Sequence, residues 1–437
     1  MVHVLTICLC AAATSQGETV VLVRGGKAAA TIVVPGDASG DVRKAGQELS
    51  ACVERLCGVA LPVSDSGEGG AGTQLFIGPS DRSSTSDVSL ANRDLESALR
   101  EAFAIRVRDG DLFFTGRTPA AVCYAVLSFI ENDLGVRWFA PGDLWEYLPP
   151  CEEGELTVQL EDREVVPDTS LRIWIGHDWF DSWQQWNWRN RASSRSKPIR
   201  NRMGNELQDA YPVEVHGESH PEYYPLIRGR RFVPPPGRLT RETNFWPCSS
   251  NPEVAAVAAD FIRNWFDADP DNRPSFSMGM DDVTNICECD ACCALDPPGA
   301  FEKDQFSDRN YAFVNAVARE VKKTHPDHNI GVLIYRQLRQ PPVNVPQMED
   351  NVYGFLTQNC AIWWNPGTEE ADKELTRDWA RRFKLPLGRY EYYGLGTFTS
   401  RFYPHTMDRQ IKFDHQLGFE ANYTEIYTFL PHTAPMI

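Results

Sequence analysis

Residues 275–282 read Ser275-Phe276-Ser277-Met278-Gly279-Met280-Asp281-Asp282. A short apolar run of this kind is the pattern of a buried strand, and here it empties into two carboxylates. Five further runs share its character: Leu171–Ile175, Ile330–Tyr335, Val352–Thr357, Pro386–Tyr392 and Phe419–Tyr427. Helical patterns separate them. Pro252–Phe266 follows an Asn251 cap and gathers Val254, Val257, Ala258, Phe261 and Trp265 on one side. Tyr311–Lys323 does the same with Val314, Val317 and Val321. Strand–helix alternation from Leu171 onward predicts a parallel sheet covered by helices. No glycine-rich phosphate loop follows any strand, and Gly394-Leu395-Gly396 lacks the helix that would make it a nucleotide fingerprint. The expected fold over 171–437 is therefore a (β/α)8 TIM-type barrel rather than an open doubly wound sheet. Ile437 follows the last strand too closely for a final barrel helix. That helix is expected to be lost or replaced, or the sequence to be cut short there.

Upstream, residues 18–160 read as a small α/β domain. Thr19–Val23 and Ala29–Val34 are β-rich, and Asp41–Cys57 is a helix with Leu49, Val53 and Leu56 on one face and Gly58 beyond its end. Asp109-Gly110 joins Phe103–Arg108 to Asp111–Thr115 as a hairpin. Thr118, Pro119 and Gly135 punctuate a second helix, with Val122, Ala125, Val126, Phe129 and Ile130 facing the sheet. Residues 161–170 (EDREVVPDTS) read as a linker. Residues 1–17 read as a signal peptide, apolar and ending in small residues but without a basic start. A secreted, periplasmic or cell-envelope location follows from that reading.

Composition narrows the function. Hydrophobic residues are 42% and aromatics 11%, which is ample for large cores. Sixty acidic against 43 basic side chains give a net charge of −17, so a polyanion such as nucleic acid is repelled. No stretch approaches the roughly 18 apolar residues that span a bilayer. The oligomeric state is not legible.

In a barrel the chemistry sits at the C-terminal ends of the strands. Asp281 and Asp282 stand at one such end, Glu391 (in RYEYY) at another and Glu425 (in YTEIY) at a third. Glycoside hydrolysis needs two carboxyl groups, one protonating the leaving oxygen and the other acting as nucleophile or base. Burial beside aromatics would raise the pKa of the acid. The plainer reading is that each acid caps a helix or binds a loop arginine. Residues 174–188 (WIGHDWFDSWQQWNW) hold five tryptophans. Trp174, Trp188, Trp363, Trp364 and Tyr393 are candidates to stack on sugar rings, and His177 and His216 to hydrogen-bond them. Core packing is the alternative for each tryptophan. Arg172 is a candidate for a substrate carboxylate or for a salt bridge to a site acid.

Cys287-Glu288-Cys289-Asp290-Ala291-Cys292-Cys293 has the spacing of half a structural zinc site. Cys293, Cys248 or Cys360 is the candidate fourth ligand, and the competing reading is disulfides, for example to Cys248. The candidate metal set is Cys287, Cys289, Cys292 and Cys248. Catalysis by carboxylates needs no cofactor.

Two resemblances accompany these readings. Ala45–Leu49, Gly58–Val63, Phe76-Ile77-Gly78, Gly116–Pro119 and Phe129–Trp138 resemble the α/β domain that precedes the barrel in alpha-glucuronidases and beta-hexosaminidases. Trp188–Arg191, His220–Tyr224, Cys248–Val254, Ser277–Cys292 and Phe313–Ala318 are similar to a bacterial family known as domain of unknown function 4838. The hexosaminidase-like barrels carry an acid pair after the fourth strand, and Asp281-Asp282 matches that pattern, with Asp where hexosaminidases have Glu. The resemblance implies Asp282 as general acid and Asp281 as an orienting partner. An inverting, glucuronidase-like mechanism would use Glu391 or Glu425 as base; substrate assistance would leave Glu391 without a role. The expectation is a glycoside hydrolase acting on a polysaccharide or glycan through Asp282 and Glu391, supported by Asp281 and Glu425. A non-catalytic carbohydrate-binding barrel and a purely structural module are the alternatives.

Overall fold

The computed structural model describes residues 17–66, 72–79, 90, 101–176, 180–192, 203–237, 239–270, 273–280, 282–393 and 403–425. The signal-peptide reading, His177 and Asp281 fall outside these residues. The chain divides into two compact units. One comprises the residues up to Ser170 together with Gln185–Arg191; the other comprises Leu171–Gln184 and the chain from Ala192 onward.

In the first unit the order is β1 (Glu18–Arg24), β2 (Ala30–Val33), α1 (Gly40–Cys57), β3 (Val63–Ser64), β4 (Thr73–Ile77), β5 (Phe103–Arg108), β6 (Asp111–Gly116), α2 (Pro119–Asn132), β7 (Leu156–Leu160) and β8 (Arg163–Val165). Six strands form a mixed sheet in the order β8-β5-β6-β4-β2-β3, while β1 pairs antiparallel with β7. Local chemistry sets the boundaries. Ser39 Oγ accepts from the Val42 amide at 3.4 Å, Gly58 closes α1 in the left-handed region, and Thr118 Oγ1 caps α2 through the Ala121 amide at 3.1 Å. Asp109 and Gly110 both have positive φ, as a two-residue hairpin turn requires. Helix α2 is buried from Ala121 to Ile130, so it packs on more than one face. The polar stretch 161–170 is not wholly a linker: β8 adds to the sheet edge with Val165 opposite Phe103. Its half-buried edge position explains its polar sequence.

The second unit continues with β9 (Leu171–Ile175), α3 (Asp181–Arg189, whose C-terminal half belongs to the first unit), α4 (Pro252–Asp267), β10 (Ser275–Ser277), α5 (Ser307–Lys322), β11 (Asn329–Ile334), β12 (Val352–Thr357), α6 (Pro366–Arg382), β13 (Gly388–Glu391), α7 (Pro404–Gln416) and β14 (Ala421–Glu425). Six parallel strands run in the order β9-β14-β13-β12-β11-β10. The first strand lies beside the last, so the sheet curls as a TIM-type barrel does. Beyond β10, residues 203–207 follow the sheet edge irregularly: Ser277 Oγ donates to the Gly204 carbonyl at 2.6 Å, and Asn205 bridges Met278.

Strand period sorts side chains onto two faces. Leu171, Ile173, Leu333, Tyr353, Phe355, Tyr390, Ala421 and Tyr423 pack together as the barrel interior. Ile330, Val332, Ile334, Val352 and Leu356 face outward, where they pack with Val254, Val314 and Trp379 of the helices. Gly388 is required on the inner face, because a Cβ there would lie 2.4 Å from the Phe355 ring.

Candidate active site

The inner face leads upward into a cluster of acids, arginines and tyrosines. Inner positions alternate, so β11 passes from Leu333 to Tyr335, β13 from Tyr390 to Tyr392, and β14 from Tyr423 to Glu425. Tyr335 and Tyr392 pack on the interior cluster. The Tyr390 ring lies 4.8 Å from Tyr423 and 5.3 Å from Tyr392. The Tyr390 hydroxyl donates to Glu425 Oε1.

Asp282 stands just beyond β10. Its Oδ1 pairs with Arg336 at 2.9 Å and its Oδ2 with Arg241. Tyr335 also donates to Asp282, and Tyr392 donates to Tyr335. Partial burial would raise the Asp282 pKa, but Arg336, Arg241 and Tyr335 reverse this and hold it below the usual carboxylate range. Arg336 has φ +45°, a left-handed conformation costing a non-glycine residue about 1–3 kcal/mol. The strained residue is one of the two whose guanidinium groups hold Asp282. Burial raises the Tyr392 hydroxyl, with Tyr335, Glu425 and Asp282 adding to the shift.

Glu391 occupies a different place. Its inner neighbours are Tyr390 and Tyr392, so Glu391 itself points outward with Arg389. It is fully buried, and its Oε1 accepts from the amides of Cys360 at 2.8 Å and Tyr392 at 3.1 Å. Burial pushes its pKa up to about 8 against the opposing pull of Arg389 and the two amides. The nucleophile or base role expected for Glu391 is therefore corrected: strand alternation aims it at the helix layer. Beside it, Arg389 makes a two-point pair with Asp414, with Nε–Oδ2 at 2.8 Å, and also reaches Gln358 and Thr376.

Other expected contacts are also placed elsewhere. Tyr393 and Trp363 are buried with Cys360, Tyr403, Met407 and Phe413 in the outer layer. Tyr393 donates to Gln410, and Trp363 donates to Asp372 at 3.0 Å. Trp364 is 81% exposed. Trp188 belongs to the first unit, where the Lys44 ammonium lies 4.3 Å from its ring centroid. There Arg189 pairs with Glu48 at 2.7 Å, and Trp186 donates to the Trp138 carbonyl at 2.8 Å. Arg172 and Trp174 alternate with the interior residues Leu171 and Ile173 and so take the outer face. His216 sits among His220 and Tyr223, at ring separations of 6.2 and 5.6 Å. The residues missed from sequence are Arg241, Arg336, Tyr335, Tyr390 and Tyr392; the alternation of β11 and β13 carried a signal for the three tyrosines.

Elsewhere in the second unit, Cys248, Cys287, Cys289 and Cys292 converge, with all four sulfurs within 4.8 Å of one another. Cys293 is exposed, and Cys360 lies in the outer layer, so Cys248 completes the group.

The curled parallel sheet, following an α/β unit in the sequence and bearing acids at its strand ends, defines a TIM-type barrel protein. Residues 142–434 match the family described as Domain of unknown function (DUF4838), and the chain belongs to that family. No curated protein matches it in sequence. Among solved structures it is similar to a family GH115 4-O-methyl-alpha-glucuronidase with specificity for decorated arabinogalactans, at 13% identity and TM-score 0.47, covering 94% of this chain and 55% of that one. It is similar to the GH20 beta-N-acetylhexosaminidase of Streptomyces coelicolor A3(2), at 12% identity and TM-score 0.48, covering 94% and 83%. It is also similar to a family 89 glycoside hydrolase from Clostridium perfringens, at 9% identity and TM-score 0.46, covering 92% and 48%. The chain thus spans about half the length of the first and third of these proteins.

Proposed function

We propose that this chain is a glycoside hydrolase acting on a polysaccharide or glycan, with Asp282 and Glu425 as its carboxyl pair. The observation that carries the reading is that both acids stand at strand ends beside the tyrosines of the inner face: Tyr390, which holds Glu425, lies 5.3 Å from Tyr392 in ring separation, and Asp282 follows β10 and is paired with Arg336 at the end of β11. Hydrolysis of a glycosidic bond uses two carboxyl groups flanking the bond, with an oxocarbenium-like transition state between them. Asp282, held ionised by Arg336, Arg241 and Tyr335, suits the nucleophile or base. Glu425 is assigned the proton-donor role by pairing with Asp282, and Tyr390 orients it through Oε1. Asp281, next in sequence to Asp282, keeps a supporting role. The apolar start of the sequence fits delivery to the envelope or exterior, where such polymers are met.

A screen on chromogenic uronides and hexosaminides tests the reading. Turnover that is lost in Asp282→Asn and in Glu425→Gln supports it; turnover unchanged in both rejects the assignment. One observation favours a second reading, a carbohydrate-binding barrel without turnover: Asp282 is already engaged by two guanidinium groups. Glycan binding with no hydrolysis of any substrate would select that alternative.

A further inference from the structure

We propose that Cys248, Cys287, Cys289 and Cys292 form a structural tetrathiolate zinc site that staples together the two segments bearing Arg241 and Asp282. The inference is independent of the hydrolase reading.

The sulfur geometry is the first ground. Cys248 Sγ lies 3.7 Å from Cys287 Sγ, 3.8 Å from Cys289 Sγ and 3.8 Å from Cys292 Sγ. A zinc–sulfur bond of about 2.3 Å gives a tetrahedron with edges of about 3.8 Å. A disulfide requires about 2.05 Å. Cys248 therefore stands from each of the other three at the separation of ligands around one tetrahedral ion, nearly twice too far for covalent pairing, and all four sulfurs lie within 4.8 Å of one another.

The surroundings are the second ground. The Leu226 amide donates to Cys287 Sγ at 3.3 Å, and the Cys292 amide donates to Cys289 Sγ at 3.4 Å. Ser250 Oγ lies 3.1 Å from Cys292 Sγ. Such donors orient thiolates and stabilise their charge. Four thiolates around a divalent ion carry a net charge of −2, which calls for cations close by. Arg231 lies against Cys248, and its Nη1 also holds the Tyr224 carbonyl at 2.7 Å. Buried Arg309 holds the Cys287 carbonyl at 2.6 Å and pairs with Asp296.

Connectivity gives the consequence. Cys248 follows the segment carrying Arg241, and Cys287 follows the segment carrying Asp282. The two segments run together ahead of the cysteines in the sequence: Trp246 donates to the Asn285 carbonyl at 2.9 Å, and the Asn285 side chain holds the carbonyls of Glu242 at 2.9 Å and Asn244 at 2.7 Å. A metal at the sulfurs would tie these two segments together a few residues beyond that contact. The ion has four protein ligands and no open position, so its role is to fix the loop and not to activate water.

The test uses the full chain purified without chelator. Elemental analysis is expected to find one zinc per chain. Replacement by cobalt should give the intense visible bands of a tetrahedral tetrathiolate. Cys289→Ser should lose most of the metal, while Cys293→Ser, altering the exposed neighbour, should keep it. If Cys289→Ser does not fold, the metal content and cobalt spectrum of the unaltered chain still decide. Chelation should speed hydrogen exchange in residues 241–250 and 282–293 before the rest of the barrel. Metal below about a tenth of an equivalent in a folded chain, or disulfides among these four cysteines by mass spectrometry, would overturn the proposal. None of these readouts uses hydrolysis, so failure here leaves the hydrolase reading standing, and the reverse.

Discussion

Glu391 and Glu425 end adjacent strands, yet they sit in different surroundings. Glu425 follows the inner positions Ala421 and Tyr423, and meets the hydroxyl of Tyr390. Glu391 follows the outer position Arg389 and is sealed between sheet and helices, where two backbone amides hold one of its oxygens. Each acid is ringed by tyrosines in the sequence, and composition alone does not separate them. A period of two does: one residue of register decides whether a strand-end acid faces the barrel interior or the helix layer.

The comparison can be broken in several ways. The largest expected effect is on turnover. Asp282→Asn should lower kcat/KM by about 10²–10⁴-fold, the usual worth of a positioned acid or base, in a chain that still folds cooperatively, the lost ion pairs with Arg336 and Arg241 lowering the unfolding midpoint only modestly. Next comes stability in the outer layer. Arg389→Ala strips a buried pair from Asp414 and should cost about 3–5 kcal/mol in urea unfolding. Arg241→Ala removes a partner whose side chain is 69% exposed, and should cost no more than about 1 kcal/mol.

The third effect depends on pH. Burial raises the Glu391 pKa in the folded state from 4.5 to about 8. Between those values the folded chain retains a proton that the unfolded chain has released. The stability tied to this group is full below pH 4.5 and is lost as pH rises through about 8. Glu391→Gln does not ionise, so its unfolding free energy should decline less over that range than that of the native chain. The smallest effect is expected at Trp364: replacing this exposed side chain by Ala should shift stability by no more than about 0.5 kcal/mol.

The strands of the second unit were legible because buried parallel strands are written as short apolar runs; in the first unit β3 and β7 were not marked, and β8, polar at the sheet edge, read as linker. Helices α1, α2, α4 and α5 were legible from caps and apolar stripes. Helices α6 and α7 were not, for a reason that belongs to the outer layer. The residues that α6 buries are Asp372, Thr376 and Trp379, and those that α7 buries are Gln410 and Asp414. Thr376 and Asp414 contact Arg389 directly. A charged residue buried beneath a helix demands polar partners, and those partners erase the apolar stripe that betrays a helix. The surviving signal was Asn365-Pro366, the same cap that opened α4 at Asn251-Pro252. In the candidate site Asp282 and Glu425 were legible as strand-end acids. Their arginine partners were not, because Arg241 reaches Asp282 across 41 residues, and Arg336 does so from a strained turn. The tryptophan cluster misled because two of its members, Trp186 and Trp188, belong to the first unit.

The most direct test of the account is a paired assay on whichever glycoside the native chain cleaves, comparing Glu425→Gln with Glu391→Gln. The account predicts a loss of about 10²–10⁴-fold in kcat/KM for Glu425→Gln and near-native turnover for Glu391→Gln. The opposite pattern, with Glu391→Gln inactive though folded and Glu425→Gln active, would contradict it.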